Sequence, residues 1–137
     1  MTPEAFQFSR GNVFRVKFHP PDEPSAMIEK YVVNLQEGKI VENSPTFVGF
    51  ILTTQRLQHI YPTDVLVTKE ECGYSGGAKI LCNQPHTIPK KDIISFEYKL
   101  SDVTMEAVGE KSLLGVGIVK IEELESLEET SEEEELP

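Results

Sequence analysis

The residues best equipped to do chemistry form one short stretch, Asn83-Gln84-Pro85-His86-Thr87. It carries two side-chain amides, an imidazole and a hydroxyl. The imidazole titrates near neutrality, and histidine is the commonest general acid or base. Amide and hydroxyl groups do not exchange protons at neutral pH, but they can bond a phosphate oxygen or the edge of a nucleobase. Just before this stretch, Ile80-Leu81-Cys82 reads as a short buried strand. Pro85 and Pro89 end that strand, because proline has no N–H to give to a ladder. Two readings are open: a loop closed by its own polar groups, or a site mounted on the end of a core strand.

Other reactive groups form weaker patterns. Cys72 and Cys82, with His59 and His86, could be imagined around zinc, but no C-x-x-C or H-x-x-x-H pair is present, so no metal and no cofactor is expected. The glycine-rich run Cys72-Gly73-Tyr74-Ser75-Gly76-Gly77 leads into a strand. A phosphate-binding P-loop would instead need a lysine and a hydroxyl residue opening a helix. It therefore reads as a turn, with Tyr74 a stacking surface for a base. His19 stands near Asp22, Glu23 and Glu29, any of which could supply a carboxylate. Arg10 and Lys17 could contact phosphate, although Lys17 reads better as an exposed strand residue.

These groups need a frame, and the periodicity supplies one. In residues 10–21, Val13, Arg15 and Lys17 fall on one parity, and Phe14, Val16 and Phe18 on the other, as in a strand whose second set faces the core. Pro20 and Pro21 end it. Residues 30–35 form a second strand, and residues 36–39 a turn with Gly38 in the left-handed conformation. Residues 46–54 are the most apolar run, a central strand in which Gly49 marks a bulge or a close backbone approach. Further strands are expected over 62–70 and 78–84, and residues 92–100 read as one more strand or as a loop with an apolar anchor. Residues 101–115 change period and predict a helix, with Val103, Ala107, Val108 and Leu114 on its apolar face, Ser101 or Asp102 as N-cap and Gly115 as stop. Residues 116–129 suggest one more strand. Short strands separated by frequent turns and followed by one helix predict a mainly β fold, a small SH3-like half-open barrel.

The chain has 137 residues, 39% of them hydrophobic, which suits a single domain with a real core. Its net charge of −10 is unevenly spread: residues 122–137 hold nine glutamates and no lysine or arginine. The preceding residues hold 14 acids and 13 bases, so the body is nearly neutral and leaves room for a local basic patch that binds phosphate. The domain reading is a barrel over 1–120 and an acidic, disordered tail over 121–137. No signal peptide opens the chain and no apolar run could span a bilayer, which implies a cytoplasmic protein with reduced thiols and no membrane partner.

The order of these features resembles the MazF/PemK growth-inhibitor toxins, of which Kid is one and whose barrel is shared with CcdB. The resemblance runs from about Arg10 to about Leu114. It rests on Arg10-Gly11 before a strand ending at Pro20, on Thr53-Thr54 closing the central strand, and on Cys82-Asn83-Gln84-Pro85-His86-Thr87-Ile88, where Kid-like members read Cys-Asp-Gln-Pro-Arg-Thr-Ile. It implies a homodimeric, metal-independent endoribonuclease that cuts single-stranded RNA and is held by an antitoxin protein. The ribose 2′-hydroxyl is the nucleophile in such enzymes, so the protein supplies a base, an acid and positive charge. Carried over position by position, Lys30 stands where the family has an arginine, and Thr53 supplies a hydroxyl. His86 replaces the loop arginine. These are the expected catalytic residues, with Arg10, Thr54, Asn83 and Gln84 as RNA contacts. Asn83 stands where those members carry Asp, and an amide cannot accept a proton from a 2′-hydroxyl.

The alternatives are a catalytically lapsed barrel that binds RNA or protein, and an unrelated adaptor barrel that binds peptide. The second needs an exposed aromatic groove, for which 8% aromatic residues is thin. In this family antitoxins carry acidic segments that lie across the toxin. The acidic tail, tethered in cis, could therefore occupy the same groove.

Overall fold

A computed structural model describes residues 8–117. The acidic tail and nearly all of the strand expected over 116–129 lie outside these residues. Seven strands form one antiparallel sheet: β1 (Asn12–Phe18), β2 (Ile28–Asn34), β3 (Thr46–Thr53), β4 (Asp64–Val67), β5 (Ala78–Leu81), β6 (His86–Pro89) and β7 (Ile93–Lys99). The order across the sheet is β4-β5-β3-β2-β1-β7, with β6 pairing β3 beside β5. The end strands β4 and β7 do not meet, so the sheet curves into a half-open barrel. One long helix, α3 (Asp102–Gly115), follows; α1 (Gly38–Val41) and α2 (Lys69–Cys72) are single turns.

The most apolar run, β3, is the central strand. It pairs with β2 on one side and with both β5 and β6 on the other. A sheet buried on both faces needs two cores, and two are present. Phe14, Val16, Phe18, Val32, Phe47, Ile51 and Ile88 fill the concave interior together with Phe8 and Val41. Val13, Val33, Phe50, Leu52, Val65, Val67 and Ile80 pack the other face against Leu100, Met105 and Val108. Phe14, Val16 and Phe18 thus face a core as their parity predicts. Val13, on the opposite parity, is equally buried because α3 covers that face.

Several local expectations are revised. Residues 36–39 are not a hairpin turn: Gly38 opens α1, and the positive-φ glycines are Gly11, Gly73, Gly77 and Gly117. Glycine is needed at 38 for space, since a Cβ there would come within 2.8 Å of the Phe8 carbonyl oxygen. Cys72 ends α2, with Gly73 as its left-handed cap. The helix face is as expected at Ala107 and Val108, but Val103 is 78% exposed and Met105 turns inward instead. The cap is as expected: Ser101 Oγ accepts the Thr104 N–H at 3.2 Å. Glu71 of α2 adds a second cap, accepting Ser101 N–H at 2.6 Å and the Thr104 hydroxyl at 2.7 Å. Gly115 is the last helical residue. A side chain there would strike the Cys82 carbonyl oxygen and meet Asn83 Cα at 2.9 Å, so the helix end rests on the β5–β6 turn.

Gly49 marks a close approach. A Cβ at this position would overlap the Val32 side chain and lie 2.6 Å from the Val33 carbonyl oxygen. The obstacle is partly backbone in a paired strand, which cannot swing aside. Gly49→Ala is therefore expected to destabilise the fold by about 1–3 kcal/mol, the usual cost of overpacking. A urea unfolding midpoint equal to that of the native chain would refute this.

Candidate functional site

The residues of the site are sorted by which face of the sheet they share. Side chains of directly paired residues project from the same face, and alternate residues along a strand do likewise. Lys30 is paired with Val16 in the concave interior. Thr53 lies two residues beyond Ile51, and His86 two before Ile88, both interior residues. Lys30, Thr53 and His86 therefore project from one face. The β2–β3 ladder ends at Tyr31 opposite Leu52, which leaves Lys30 and Thr53 as the next neighbours across it.

His86 is paired with Gly49, and four residues of β3 separate that position from Thr53, about 13 Å at the usual strand rise. Phe18, at the far end of β1 and paired with Ile28, reaches across the interior to meet the His86 ring edge-on at 5.1 Å. Pairing with β3 corrects one expectation: His86 and Thr87 are not loop residues but open β6, and only 82–85 form the connection. Pro85 precedes the strand, and Pro89 ends it.

His86 is half-buried, and its Nε2 is shut off from solvent with no hydrogen-bond partner. Burial beside Phe18 disfavours the imidazolium and lowers its pKa below the ordinary 6.5, so the ring is neutral at pH 7. This burial has a consequence for stability. Above pH 6.5 both folded and unfolded forms are neutral and the contribution is fully present. As pH falls, the unfolded chain takes up the proton first, so stability is lost through the folded-state pKa. The urea midpoint of the native chain is expected to drop more between pH 7.5 and pH 5 than that of His86→Gln. Parallel decline of both would show that His86 is not the group responsible.

The other expected residues are placed as follows. Thr53 Oγ accepts the Gln55 N–H at 3.1 Å, which leaves its own O–H free to donate. Thr54 is exposed just beyond β3, and Asn83 and Gln84 are exposed in the β5–β6 turn on which Gly115 rests. Arg10 stands apart, at the opposite end of β1 from Phe18. Its guanidinium donates to the Leu35 carbonyl oxygen at 2.7 Å and lines an open groove with Glu37, Lys99, Asp102 and Glu106. Tyr74 lies on the other face, its ring 5.5 Å from that of Tyr31, away from the three expected catalytic residues. Glu29 is also off this face, near Arg15 at 3.9 Å, whereas Asp22 and Glu23 are exposed in the β1–β2 loop. His19 Nδ1–H donates to the Ala26 carbonyl oxygen at 3.0 Å and closes that loop. Both cysteines are buried free thiols, and burial pushes Cys82 up to about 12. Among the described residues no group of His, Cys, Asp and Glu could hold a metal ion, and no helix is long and apolar enough to cross a membrane.

Sequence reasoning missed Lys79. It is paired with Thr53, yet its ammonium is turned into the protein beside Asp64. No spacing rule marks a buried lysine. The only hint was a charge within the apolar run Ala78–Leu81.

Residues 9–114 match the family model described as the PemK-like, MazF-like toxin of type II toxin–antitoxin systems. Among solved structures, an endoribonuclease in complex with its cognate antitoxin, from a mycobacterial species, superposes with a TM-score of 0.67 at 16% identity, covering 82% of this chain and 97% of that one. The MazE–MazF complex (Form-III) from Deinococcus radiodurans gives 0.66 at 13% identity, with 82% and 98% covered. The Mycobacterium tuberculosis toxin MazF-mt6 gives 0.63 at 15% identity, with 77% and 96% covered. At such identities the likeness is one of fold. A comparison with curated protein sequences finds no match. The family match takes in every strand of the sheet and nearly all of α3, from the turn before β1 to the last helical turn, and on that span the chain belongs to the PemK-like, MazF-like toxins of type II toxin–antitoxin systems.

Proposed function

We propose that this chain is a metal-independent endoribonuclease that cuts single-stranded RNA through its own ribose 2′-hydroxyl. The observation that carries this reading is the shared face of Lys30, Thr53 and His86 on an interior that also holds His86 neutral. The 2′-oxygen bonds to phosphorus, the bond to the 5′-oxygen of the next nucleotide breaks, and a cyclic phosphate is left. The protein must take one proton, return one, and offset charge on the phosphoryl oxygens. With Nε2 closed off, Nδ1 is the nitrogen of the neutral imidazole left to accept the 2′-hydroxyl proton and later deliver it to the 5′-oxygen. The Thr53 hydroxyl can donate to a phosphoryl oxygen. Lys30 supplies positive charge, although without the two-pronged fork of arginine. Thr54, exposed just beyond β3, and Asn83 and Gln84, exposed in the β5–β6 turn, are the candidate RNA contacts.

Two of the similar structures are complexes with antitoxins. A proteinaceous antitoxin, a homodimeric state and a cytoplasmic location extend the same reading to this chain. One observation favours a second reading, a barrel that binds RNA without cutting it. The exposed β5–β6 turn carries Asn83 rather than a carboxylate. The deciding experiment is incubation of purified full-length protein with a mixed-sequence single-stranded RNA in EDTA. Cleavage supports the nuclease. Retention of RNA without cleavage, with and without residues 122–137, supports the binding module.

A further inference from the structure

The Lys79 side chain is only 5% exposed; that of its ion-pair partner Asp64, at 3.5 Å, is 2% exposed. Its ammonium donates to the Arg56 carbonyl oxygen at 3.0 Å and the His59 carbonyl oxygen at 2.7 Å. Asp64 Oδ2 also accepts the Tyr61 N–H at 2.9 Å. Every one of these bonds lands on the ten-residue connection 54–63, which begins at the end of the candidate site.

A buried ion pair is a poor way to gain stability, since well-packed apolar residues commonly do as well. Here it does something they cannot. It captures two inward-turned carbonyls and fixes the backbone between them. Arg56 needs that help: its φ of 55° makes it the one left-handed non-glycine residue among those described. An arginine in that conformation is strained, and such residues persist where the surroundings over-determine them, often at functional sites. The carbonyl of Arg56 points to Lys79, and its side chain is exposed, with no ion pair among the described residues. The connection itself contains no carboxylate, and Asp64, which opens β4 just after it, is already engaged by Lys79 and the Tyr61 N–H.

We infer that the 54–63 connection is a phosphate-binding arm, in which Lys79 is a positioning residue that presents Arg56 to the RNA backbone beside Thr53. The inference rests on the RNA-cleaving reading. An arginine fork suits a phosphate oxygen pair, and contacts of this kind position an RNA strand without reading its sequence.

The test uses the full-length protein and a single-stranded RNA with 2′-O-methyl sugars, which cannot be cut. Its dissociation constant is measured as salt is varied. Arg56→Gly keeps the left-handed backbone without strain and removes only the fork. It should reduce the slope of log affinity against log salt by about 0.7 and weaken binding about fivefold at 0.1 M salt, as expected for one lost phosphate contact. Arg56→Lys should restore the slope. Lys79→Met with Asp64→Leu removes the clamp without stranding a charge. It should lower the slope equally, and adding Arg56→Gly to it should change nothing more. An unchanged slope in Arg56→Gly, with native RNA binding intact, would overturn the inference and leave the nuclease reading standing. Full additivity with the clamp variant would overturn the positioning role of Lys79. Absence of RNA binding by the native chain would remove the reading on which both depend. Should the clamp variant fail to fold, Arg56→Gly and Arg56→Lys still decide the phosphate contact.

Discussion

Replacing His86 by alanine is expected to slow RNA cleavage by about 10²- to 10⁴-fold, the range that a positioned acid or base contributes. Of the three residues named on the Lys30–Thr53–His86 face, the imidazole is the one whose type exchanges protons near neutrality. The loss should appear in the chemical step, in EDTA, with RNA affinity nearly unchanged. The pH profile gives a second check. A base that must be neutral gives a rate that rises with pH to a plateau. Because burial lowers the His86 pKa, the midpoint should fall below 6.5. A native rate retained in the alanine variant would exclude His86 from the chemistry. The carboxylates of the β1–β2 loop, Asp22 and Glu23, would then be the next candidates.

Lys79→Met is expected to destabilise the fold by about 3–5 kcal/mol, because it leaves Asp64 buried without its counter-charge. The same change frees the Arg56 and His59 carbonyls from their donor. Joined with Asp64→Leu, the loss should shrink, since the stranded charge is gone and what remains is the loss of the bonds to the Arg56 and His59 carbonyls and the Tyr61 N–H. Equilibrium unfolding of the two variants beside the native chain measures this. A single variant within 1 kcal/mol of native, on the order of a surface pair, would mean that water reaches the pair in solution.

Much of the frame was legible from periodicity. Phe14, Val16 and Phe18 alternate because a pleated strand has period two, and all three reach the interior. Thr46–Thr53 is the central strand because only a strand buried on both faces is apolar at nearly every position. Ser101 caps α3 because a hydroxyl there meets an orphan N–H. The misreadings share a cause: a tertiary contact outweighed a local rule. Gly38 suggested turn chemistry, but it opens α1 and is required for room beside the Phe8 backbone. Val103 matched a helical stripe that holds at Val108, yet the core takes Met105 in its place. His86 followed a proline and resembled a loop residue, but β3 had a free edge beyond β5, and the chain paired with it.

By itself the sequence determined the strand content, the terminal helix, the family and the residue types available for chemistry. These follow from hydrophobic period, capping and turn preference, all of which act over a few neighbouring residues. Only the tertiary structure decided which of those residues meet. Strand register placed Lys30 beside Thr53, curvature carried Phe18 onto His86 and lowered its basicity, and burial turned Lys79 from a surface charge into a clamp on Arg56. Each of these depends on distances between strands far apart in the chain, and no spacing along the sequence encodes them.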